Sequence, residues 1–257
     1  MRNFSTPALI LSVQLQGESN RRITIFSPNE GIFTATLYGG PKSKLRALVS
    51  PMNSGLIYLY RDEVKNQIKI TDFDVKNYHL SFRENLFKTW AASFATEILI
   101  KTKCAGASEE SWRIVNGFLD GLELSGEEES RLGLVRFLWR YLALLGVKPD
   151  TASCCGCGAS LHSDRFTGDS FSWRYAFSSI NNSFMCPNCS RFEKSGVELS
   201  KAAITYLEAV SSLSPKDVRN IRVSQGTFLE MKSLAYALIE EACGAKLKSL
   251  ESGRGIL

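Results

Sequence analysis

The sequence predicts an α+β protein, in which a small β-barrel is followed by a helical domain that carries an inserted module with four paired cysteines. Three observations lead to this prediction. Short stretches of alternating apolar and polar residues, separated by turn residues, occupy most of the first 79 positions. Apolar residues recur at helical spacing after that point. Two Cys-x2-Cys pairs interrupt the helical pattern between residues 151 and 194.

The first third of the chain has the pattern of five short β-strands. Its second strand places Ile23 and Ile25 on one face and polar residues on the other, and the turn signal PNEG separates it from the third. The predicted strands are 8–16, 21–27, 31–38, 56–60 and 67–75. So many short strands in so few residues indicate a barrel or a sandwich. The OB-fold, a five-stranded barrel that binds oligonucleotides, is one such architecture.

Helical spacing accounts for most of the remaining chain. Phe87, Trp90, Phe94 and Ile98 share one stripe, which is typical of a buried helix face rather than of a cofactor site. The predicted helices cover 81–103, about 109–122 with Ser108 as the cap, 127–145, 200–213 and 225–250. The predicted domains are a barrel at 1–79, a helical domain at 80–150 and 195–257, and a cysteine module at 151–194.

Positive charge is concentrated in the predicted barrel. Residues 1–79 contain ten Lys or Arg and six Asp or Glu, and no acidic residue lies between Gly31 and Arg61. That interval contains Lys42, Lys44 and Arg46. A basic surface attracts phosphate backbones, although a solvated face without a ligand explains the charge equally well.

The paired cysteines predict one structural zinc ion. Cys154-x2-Cys157 and Cys186-x2-Cys189 are separated by 28 residues. Two cysteines at this spacing reach one ion when the backbone turns back between them, and two such pairs supply a closed tetrahedron of thiolates. The intervening segment is longer than in a compact zinc ribbon. It is therefore expected to contain a hairpin or a loop, with a turn at Asn181 and Asn182.

Other chemistries fit the pattern less well. A thioredoxin-like redox site needs only one Cys-x2-Cys pair, and a zinc deaminase needs a His-x-Glu motif that the chain lacks. Cys155 is too close to Cys157 to replace Cys154, and a set of four thiolates leaves His162 unnecessary. The chain has only two histidines and no Walker or Rossmann glycine pattern. We therefore expect a protein that is not an enzyme.

The same features predict where the protein acts. No apolar run reaches the roughly 18 residues of a membrane span, and the amino-terminal segment has the pattern of a first strand rather than a signal peptide. Paired cysteines without a secretory signal favour metal binding over disulfides. The expected location is therefore the cytoplasm, in association with the nucleoid if the ligand is DNA.

An ordered set of motifs resembles the RecO family of bacterial DNA repair and recombination proteins. The motifs are GESNRRIT (17–24), NEG (29–31), GGPKSKLR (39–46), SPM (50–52), FLWRYLALLGVKPD (137–150), CCGCG (154–158), CPNC (186–189) and LKSL (247–250). They span nearly the whole chain. Two features depart from the family: Asn181-Asn182-Ser183 replaces a Gly-Gly, and Tyr38 stands where a Lys is common.

The resemblance implies an amino-terminal OB-fold, a helical domain and an inserted zinc module. It also implies a recombination mediator that binds single- and double-stranded DNA, anneals complementary strands, and works with RecR to load RecA onto DNA coated by single-stranded DNA-binding protein. The family recognises the acidic, hydrophobic-ended tail of that protein through its helical domain. Arg136 and Arg140 are candidate contacts for the tail.

Candidate DNA contacts lie on the barrel. Arg21, Arg22, Lys42, Lys44 and Arg46 would neutralise phosphates, and Tyr38 would stack on a base or simply pack at the sheet edge. Two alternatives remain open: a zinc-ribbon RNA-binding or transcription-associated protein, and an interaction scaffold whose basic face binds acidic protein partners.

Overall fold

A computed structural model describes residues 2–40, 43–106, 109–163, 174–191 and 197–257. The chain forms two compact units, one of Met1–Arg131 with Ala245–Leu257 and the other of Leu132–Gly244. The first unit contains both the strands and the first helices, because those helices pack on the sheet. For example, the centroids of the Phe26 and Trp112 rings are 5.4 Å apart. The three-part division of the sequence follows different boundaries and stays a prediction.

Five strands of the first unit close into a barrel in the order β1-β2-β3-β5-β4. The strands are β1 (Arg2–Gln16), β2 (Asn20–Ser27), β3 (Gly31–Leu37), β4 (Ser54–Asp62) and β5 (Gln67–Asn77). Neighbouring strands pair antiparallel except β3 and β5, which meet in parallel at Thr36 and Lys69. This order is that of the OB-fold, and the predicted five-stranded barrel is confirmed.

The alternation predicted for the strands points their apolar residues into the barrel. Ile23, Ile25 and Ile57 are fully buried there, while Arg22 on the opposite face of β2 is exposed. Removing such side chains from water stabilises the fold by about 1.5–3 kcal/mol each. The barrel core therefore comes from the inward half of each strand, and the outward half is left for polar contacts.

A short helix, α1 (Leu45–Leu48), lies between β3 and β4 and covers the barrel core. Leu45, Leu48 and the fully buried Val49 pack against the core residues. The buried Asn53 donates a hydrogen bond from its side-chain amide to the Leu48 carbonyl at 2.8 Å, which secures the end of the helix. The segment that carries the basic motif is thus anchored by its apolar residues.

The first unit also contains most of the early helices. After a 3₁₀ helix at Leu80–Arg83 come α2 (Leu86–Lys101) and α3 (Glu109–Leu124), and α4 (Glu127–Leu144) begins here and continues into the second unit. The helix predicted at 81–103 begins later because the Asn85 side chain accepts the Lys88 N–H and caps α2. Ser108, the predicted cap of α3, lies outside the described residues.

The second unit combines a small sheet with helices. Its sheet has the order β7-β6-β8, from β6 (Tyr175–Ser178), β7 (Ser183–Met185) and β8 (Glu198–Leu199). Its helices are the rest of α4, α5 (Pro187–Ser190), α6 (Lys201–Ser212), α7 (Pro215–Arg219) and α8 (Gln225–Cys243). Ser200, Ser214 and Ser224 cap the last three, each accepting a backbone N–H three residues ahead. Trp139 and Tyr141 of α4 are fully buried in this unit.

The last predicted helix, 225–250, is two helices. α8 ends at Cys243 because Gly244 takes a left-handed conformation with φ of 63°, and α9 (Lys248–Ser252) follows within the first unit. The fully buried Cys104 is a small apolar residue of the core, and burial raises the pKa of its thiol to about 12. Within the described part of the chain, no helix is both long enough and apolar enough to cross a membrane.

Candidate metal centre and nucleic-acid interface

The four paired cysteines meet at one point in the second unit. The Sγ atoms of Cys154, Cys157, Cys186 and Cys189 all lie within 4.8 Å of one another, and those of Cys157 and Cys186 are 3.8 Å apart. Four thiolates arranged tetrahedrally at about 2.3 Å from a zinc ion are separated by roughly 3.8 Å. The spacing of this cluster therefore fits a single four-coordinate metal ion. Neither Cys155 nor His162 belongs to the cluster that the described residues form.

The first pair sits on a tight backbone turn. The Gly158 N–H donates to the Cys154 carbonyl at 2.8 Å, and Gly158 has φ of 71°, a conformation that favours glycine. A Cβ atom at Gly156 would lie 3.1 Å from the Cys189 Sγ. The two glycines of this turn thus have different roles, since Gly158 permits the turn and Gly156 leaves room for the opposite thiol.

The second pair sits at the start of the short helix α5. The N–H groups of Cys189 and Ser190 both donate to the Cys186 carbonyl at 3.0 Å, and Pro187 occupies the first helical position, where its missing N–H is tolerated. The helical turn brings Cys189 back toward Cys186. This gives two thiols on one side of the turn.

Backbone hydrogen bonds hold the two pairs together. The Cys155 N–H donates to the Phe184 carbonyl at 3.0 Å, and the Cys186 N–H donates to the Cys154 Sγ at 3.2 Å. Phe184 lies on β7, which pairs with β6 in a hairpin, one of the two structures expected from the long spacing. Its turn contains Asn182 with φ of 45°, as the sequence predicts.

The thiols of the cluster differ in pKa because burial and hydrogen bonds act on each of them differently. Burial raises the pKa of Cys154, but hydrogen bonds from the N–H groups of Cys186, Cys157 and Gly156 outweigh it and lower that pKa to about 7. Hydrogen bonding with Cys157, together with burial, raises the pKa of Cys189 to about 12. One thiolate is therefore already favoured, and a divalent cation would supply the charge that the other thiolates need.

Three of the predicted DNA contacts lie near the barrel end where β2 begins. Lys44 is exposed, while Arg46 and Arg21 are half-buried. Burial first, and then the charge of Arg46, lower the pKa of Arg21. The Arg21 Nε is buried without a hydrogen-bond partner in the part of the chain that the structure describes. Arg21 thus has a second cation near enough to lower its pKa, together with a buried donor that is unused in that part of the chain. Lys42, also predicted as a contact, lies outside the described residues.

The other two predicted contacts lie on the outer face of the barrel. Arg22 pairs with Thr36 across β2 and β3, and Thr36 pairs with Lys69, so that Arg22 and Lys69 belong to one cross-strand row. The Lys69 Nζ lies 5.4 Å from the centroid of the Tyr38 ring and 5.8 Å from that of Tyr60. Lys69 and Tyr60 were not predicted as contacts. The one sequence signal that could have found Tyr60 is a tyrosine at an outward position of β4.

The two candidate partner contacts differ in exposure. Arg136 is only 6% exposed, and its Nη1 donates to the Tyr206 hydroxyl at 3.1 Å. Arg140 is half-buried and donates from Nε to the Val210 carbonyl at 3.2 Å, while its Nη2 has no hydrogen-bond partner among the described residues. Burial, followed by the charge of Arg136, lowers the pKa of Arg140. Arg140 thus has a buried donor that is unused within the described residues, whereas the Arg136 guanidinium is held in the interior.

Comparison with known proteins covers nearly the whole chain. The family model described as "Recombination protein O N terminal" matches residues 1–76, and the one described as "Recombination protein O C terminal" matches residues 83–251. A relative named DNA repair protein RecO from Desulforamulus reducens is 22% identical over 98% of this chain and 94% of its own length. Proteins of the same name from Acetivibrio thermocellus and Oceanobacillus iheyensis are 24% and 22% identical over 94% of this chain and 92% and 89% of their own lengths.

Proposed function

The chain belongs to the RecO family, and from that premise we propose that it is a recombination mediator in DNA repair. It binds single- and double-stranded DNA and anneals complementary strands. With RecR, it helps to load RecA onto single-stranded DNA that is coated by single-stranded DNA-binding protein. Such a protein acts in the cytoplasm, at the nucleoid.

The apposition of Arg21 and Arg46 is the observation that carries the DNA-binding part of this proposal. Two guanidinium groups repel each other, and the buried Arg21 Nε has no acceptor within the described residues. A phosphate group would reduce the repulsion and accept that hydrogen bond. Lys44 beside them, and Lys42 and Arg22 as further cations, would extend the contact along a DNA backbone.

Annealing requires no bond-making chemistry, so the proposed function needs no catalytic residue. Two DNA strands repel each other through their phosphates, and cations on the barrel reduce that repulsion and release counterions. The bases must stay free to pair, and contacts made mainly to the backbone leave them so. Tyr38 would contribute a stacking contact of about 1–3 kcal/mol with one base.

We propose that the cysteine cluster holds one structural zinc ion through the thiolates of Cys154, Cys157, Cys186 and Cys189. Zinc with four thiolates has no open position for water, and its chemistry here is to cross-link the two turns. The N–H groups that point at the Cys154 Sγ stabilise its thiolate form. The ion would thus stabilise the second unit, while DNA contacts the barrel of the first.

Arg140 is the proposed contact for the acidic tail of single-stranded DNA-binding protein. Its buried Nη2 has no hydrogen-bond partner among the described residues, and an arginine forms strong charge-assisted hydrogen bonds with a carboxylate. Arg136 would act indirectly, because its charge adds to the positive potential at Arg140.

Annealing of complementary oligonucleotides tests the proposal directly. The wild-type protein should accelerate annealing, with and without single-stranded DNA-binding protein on the strands. The double variant Lys44→Gln/Arg46→Gln should lose most of that acceleration. Lys76→Gln removes an exposed cation near the carboxyl-terminal end of β5, and this variant should anneal DNA as the wild type does. A wild-type protein that does not accelerate annealing, or that prefers RNA over DNA of the same sequence, would refute the assignment.

A further inference from the structure

The outer face of the barrel carries a tyrosine–lysine cluster made of Tyr38, Tyr60 and Lys69. The Lys69 ammonium lies over both rings, at 5.4 Å from the Tyr38 centroid and 5.8 Å from the Tyr60 centroid. Tyr38 is 45% exposed, and Tyr60 and Lys69 are half-buried. Two aromatic rings that stand at the surface with a cation between them have the composition of a nucleic-acid stacking site.

Strand pairing connects this cluster to the proposed phosphate contacts. Tyr60 pairs with Lys69 across β4 and β5, Lys69 with Thr36 across β5 and β3, and Thr36 with Arg22 across β3 and β2. Paired residues point to the same side of a sheet, and adjacent strands are about 4.8 Å apart. The backbones at Arg22 and Lys69 are therefore roughly 10 Å apart on one face. A strand of DNA can reach both in crossing the barrel.

We propose that this cluster is a stacking site for unpaired bases, and that it makes the barrel prefer single-stranded over double-stranded DNA. The inference rests on the proposed DNA binding and assigns one part of it. A base in a duplex is stacked on both faces by its neighbours, so only an unpaired base can offer a face to Tyr38 or Tyr60. Phosphates, by contrast, are present in both forms, and the cations near α1 bind either.

The Lys69 ammonium contacts different groups in the free protein and in the proposed DNA complex. In the free protein its ammonium is stabilised by the ring faces, because the face of an aromatic ring is negative. Its four-carbon side chain is flexible. When a base occupies a ring face, the ammonium moves to the phosphate of the same nucleotide. The cluster thus exchanges ring contacts of the ammonium for a stacked base and a phosphate contact, without leaving a charge unpaired.

Acidic residues limit the site on one side. Tyr58 lies two residues before Tyr60 on the same face of β4 and is 40% exposed, but it pairs with the exposed Asp72. Asp74 follows on β5 and is also exposed. These carboxylates repel phosphates, so the DNA path runs from Lys69 toward Arg22 and not along β5. Tyr58 is therefore the matched control for Tyr60.

Three ligands of equal length separate stacking from charge: an oligothymidylate, an abasic oligonucleotide, and a duplex. Tyr60→Ala should weaken binding to the oligothymidylate by roughly 5- to 150-fold, the equivalent of one stacked base. Its affinity for the abasic strand and for the duplex should change by less than about twofold, since no stacked base is lost. Tyr60→Phe and Tyr58→Ala should bind all three ligands as the wild type does. Tyr38→Ala, at an exposed strand end where unfolding is not expected, should reproduce the pattern of Tyr60→Ala.

Two results would overturn the inference. One is an unchanged affinity of both alanine variants for the oligothymidylate. The other is an equal loss for all three ligands while circular dichroism shows a native fold, because that loss would come from charge or shape alone. In either case the wild-type protein can still bind and anneal DNA, and the proposed function stands. If the wild-type protein binds none of the ligands, the proposed function itself fails.

Discussion

The carboxylate of Glu97, in α2, holds the amino-terminal end of α9 through Ser249 and its neighbour Lys248. Oε2 accepts hydrogen bonds from the Ser249 N–H at 2.8 Å and the Ser249 hydroxyl at 2.6 Å, and Oε1 accepts one from the Lys248 N–H at 3.0 Å. The carboxylate thus satisfies donors that a helix leaves unpaired at its first turn. This contact joins the closing LKSL motif to the rest of the first unit.

The first prediction concerns the pH dependence of this contact. Burial raises the pKa of Glu97, but hydrogen bonds from the Ser249 hydroxyl and N–H and from Lys248 outweigh it, so that the pKa is lowered overall. A lowered pKa in the folded state stabilises the protein above the unfolded pKa of about 4.3, and this is lost as pH falls through the folded value. Glu97→Gln should therefore lower the free energy of unfolding by roughly 1–2 kcal/mol at pH 7 and by less at pH 3. Urea titrations at both pH values measure this.

The exposed Glu84 offers the control for that experiment. Glu84→Gln removes one carboxylate without removing the contact with α9, so its effect at pH 7 should stay within about 0.5 kcal/mol. A Glu97→Gln variant that is as stable as Glu84→Gln at pH 7 would contradict the role given to Glu97.

The second prediction concerns salt. Lys44→Gln/Arg46→Gln removes two phosphate contacts, so the slope of log K against log salt for single-stranded DNA should become shallower by about 1.4. A fluorescence titration at several salt concentrations measures the slope. The Lys76→Gln control should keep the wild-type slope. If the double variant kept it too, Lys44 and Arg46 would not contact DNA.

The third prediction concerns the metal. Purified protein should contain about one zinc per chain by atomic emission, and Cys157→Ser or Cys186→Ser should lose it. Cys155→Ser should keep it, because the Cys155 thiol does not belong to the cluster of described residues. Chelation should lower the thermal transition of the protein before it weakens DNA binding. Loss of DNA binding by a chelated chain whose circular dichroism stays native would move the DNA site to the zinc module.

The fourth prediction concerns Gly156. Its substitution by alanine places a Cβ about 3.1 Å from the Cys189 Sγ, so the thiol must shift and the tetrahedron is distorted. Gly156→Ala should release zinc at a chelator concentration roughly tenfold lower than the wild type requires. Disturbing the residues that support a metal ligand weakens metal binding by about this factor. Gly133→Ala, in the interior of α4, should instead stabilise the protein by up to about 1 kcal/mol without changing zinc release. Equal zinc retention by both variants would show that Cys189 tolerates the crowding.

The fifth prediction concerns the acidic tail. Arg140→Ala should weaken binding of an acidic peptide with a free carboxyl terminus by about tenfold or more, since a hydrogen bond between charged groups contributes roughly 1.5–3 kcal/mol. Amidation of the peptide should reduce the difference between Arg140→Ala and wild type. Lys216→Ala removes an exposed cation elsewhere in the second unit and should have little effect. Fluorescence anisotropy measures the affinities, and equal values for Arg140→Ala and wild type would place the tail elsewhere.

Much of the fold was predictable because its signals are local. The alternation in β2 follows from a side-chain period of two, and the helix stripe at Phe87, Phe94 and Ile98 from a period near 3.6. Element ends were less predictable, since they depend on single caps such as Asn85 or on left-handed residues such as Gly244. Arg136 was a candidate contact because the resemblance places the tail site in the helical domain. Only the packing shows that Arg136 is buried and donates to the Tyr206 hydroxyl.

By itself, the sequence determined the two cysteine pairs, the five short strands and, through its ordered motifs, the resemblance to the family. Ligand identity in a zinc site depends on spacing within a few residues, which a sequence displays directly. Only the tertiary structure decided which outward residues of the barrel lie side by side. Tyr38, Tyr60 and Lys69 meet because β3 pairs with β5 when the barrel closes, and the register of that closure joins strands that are far apart in the chain. No local pattern of residues encodes it.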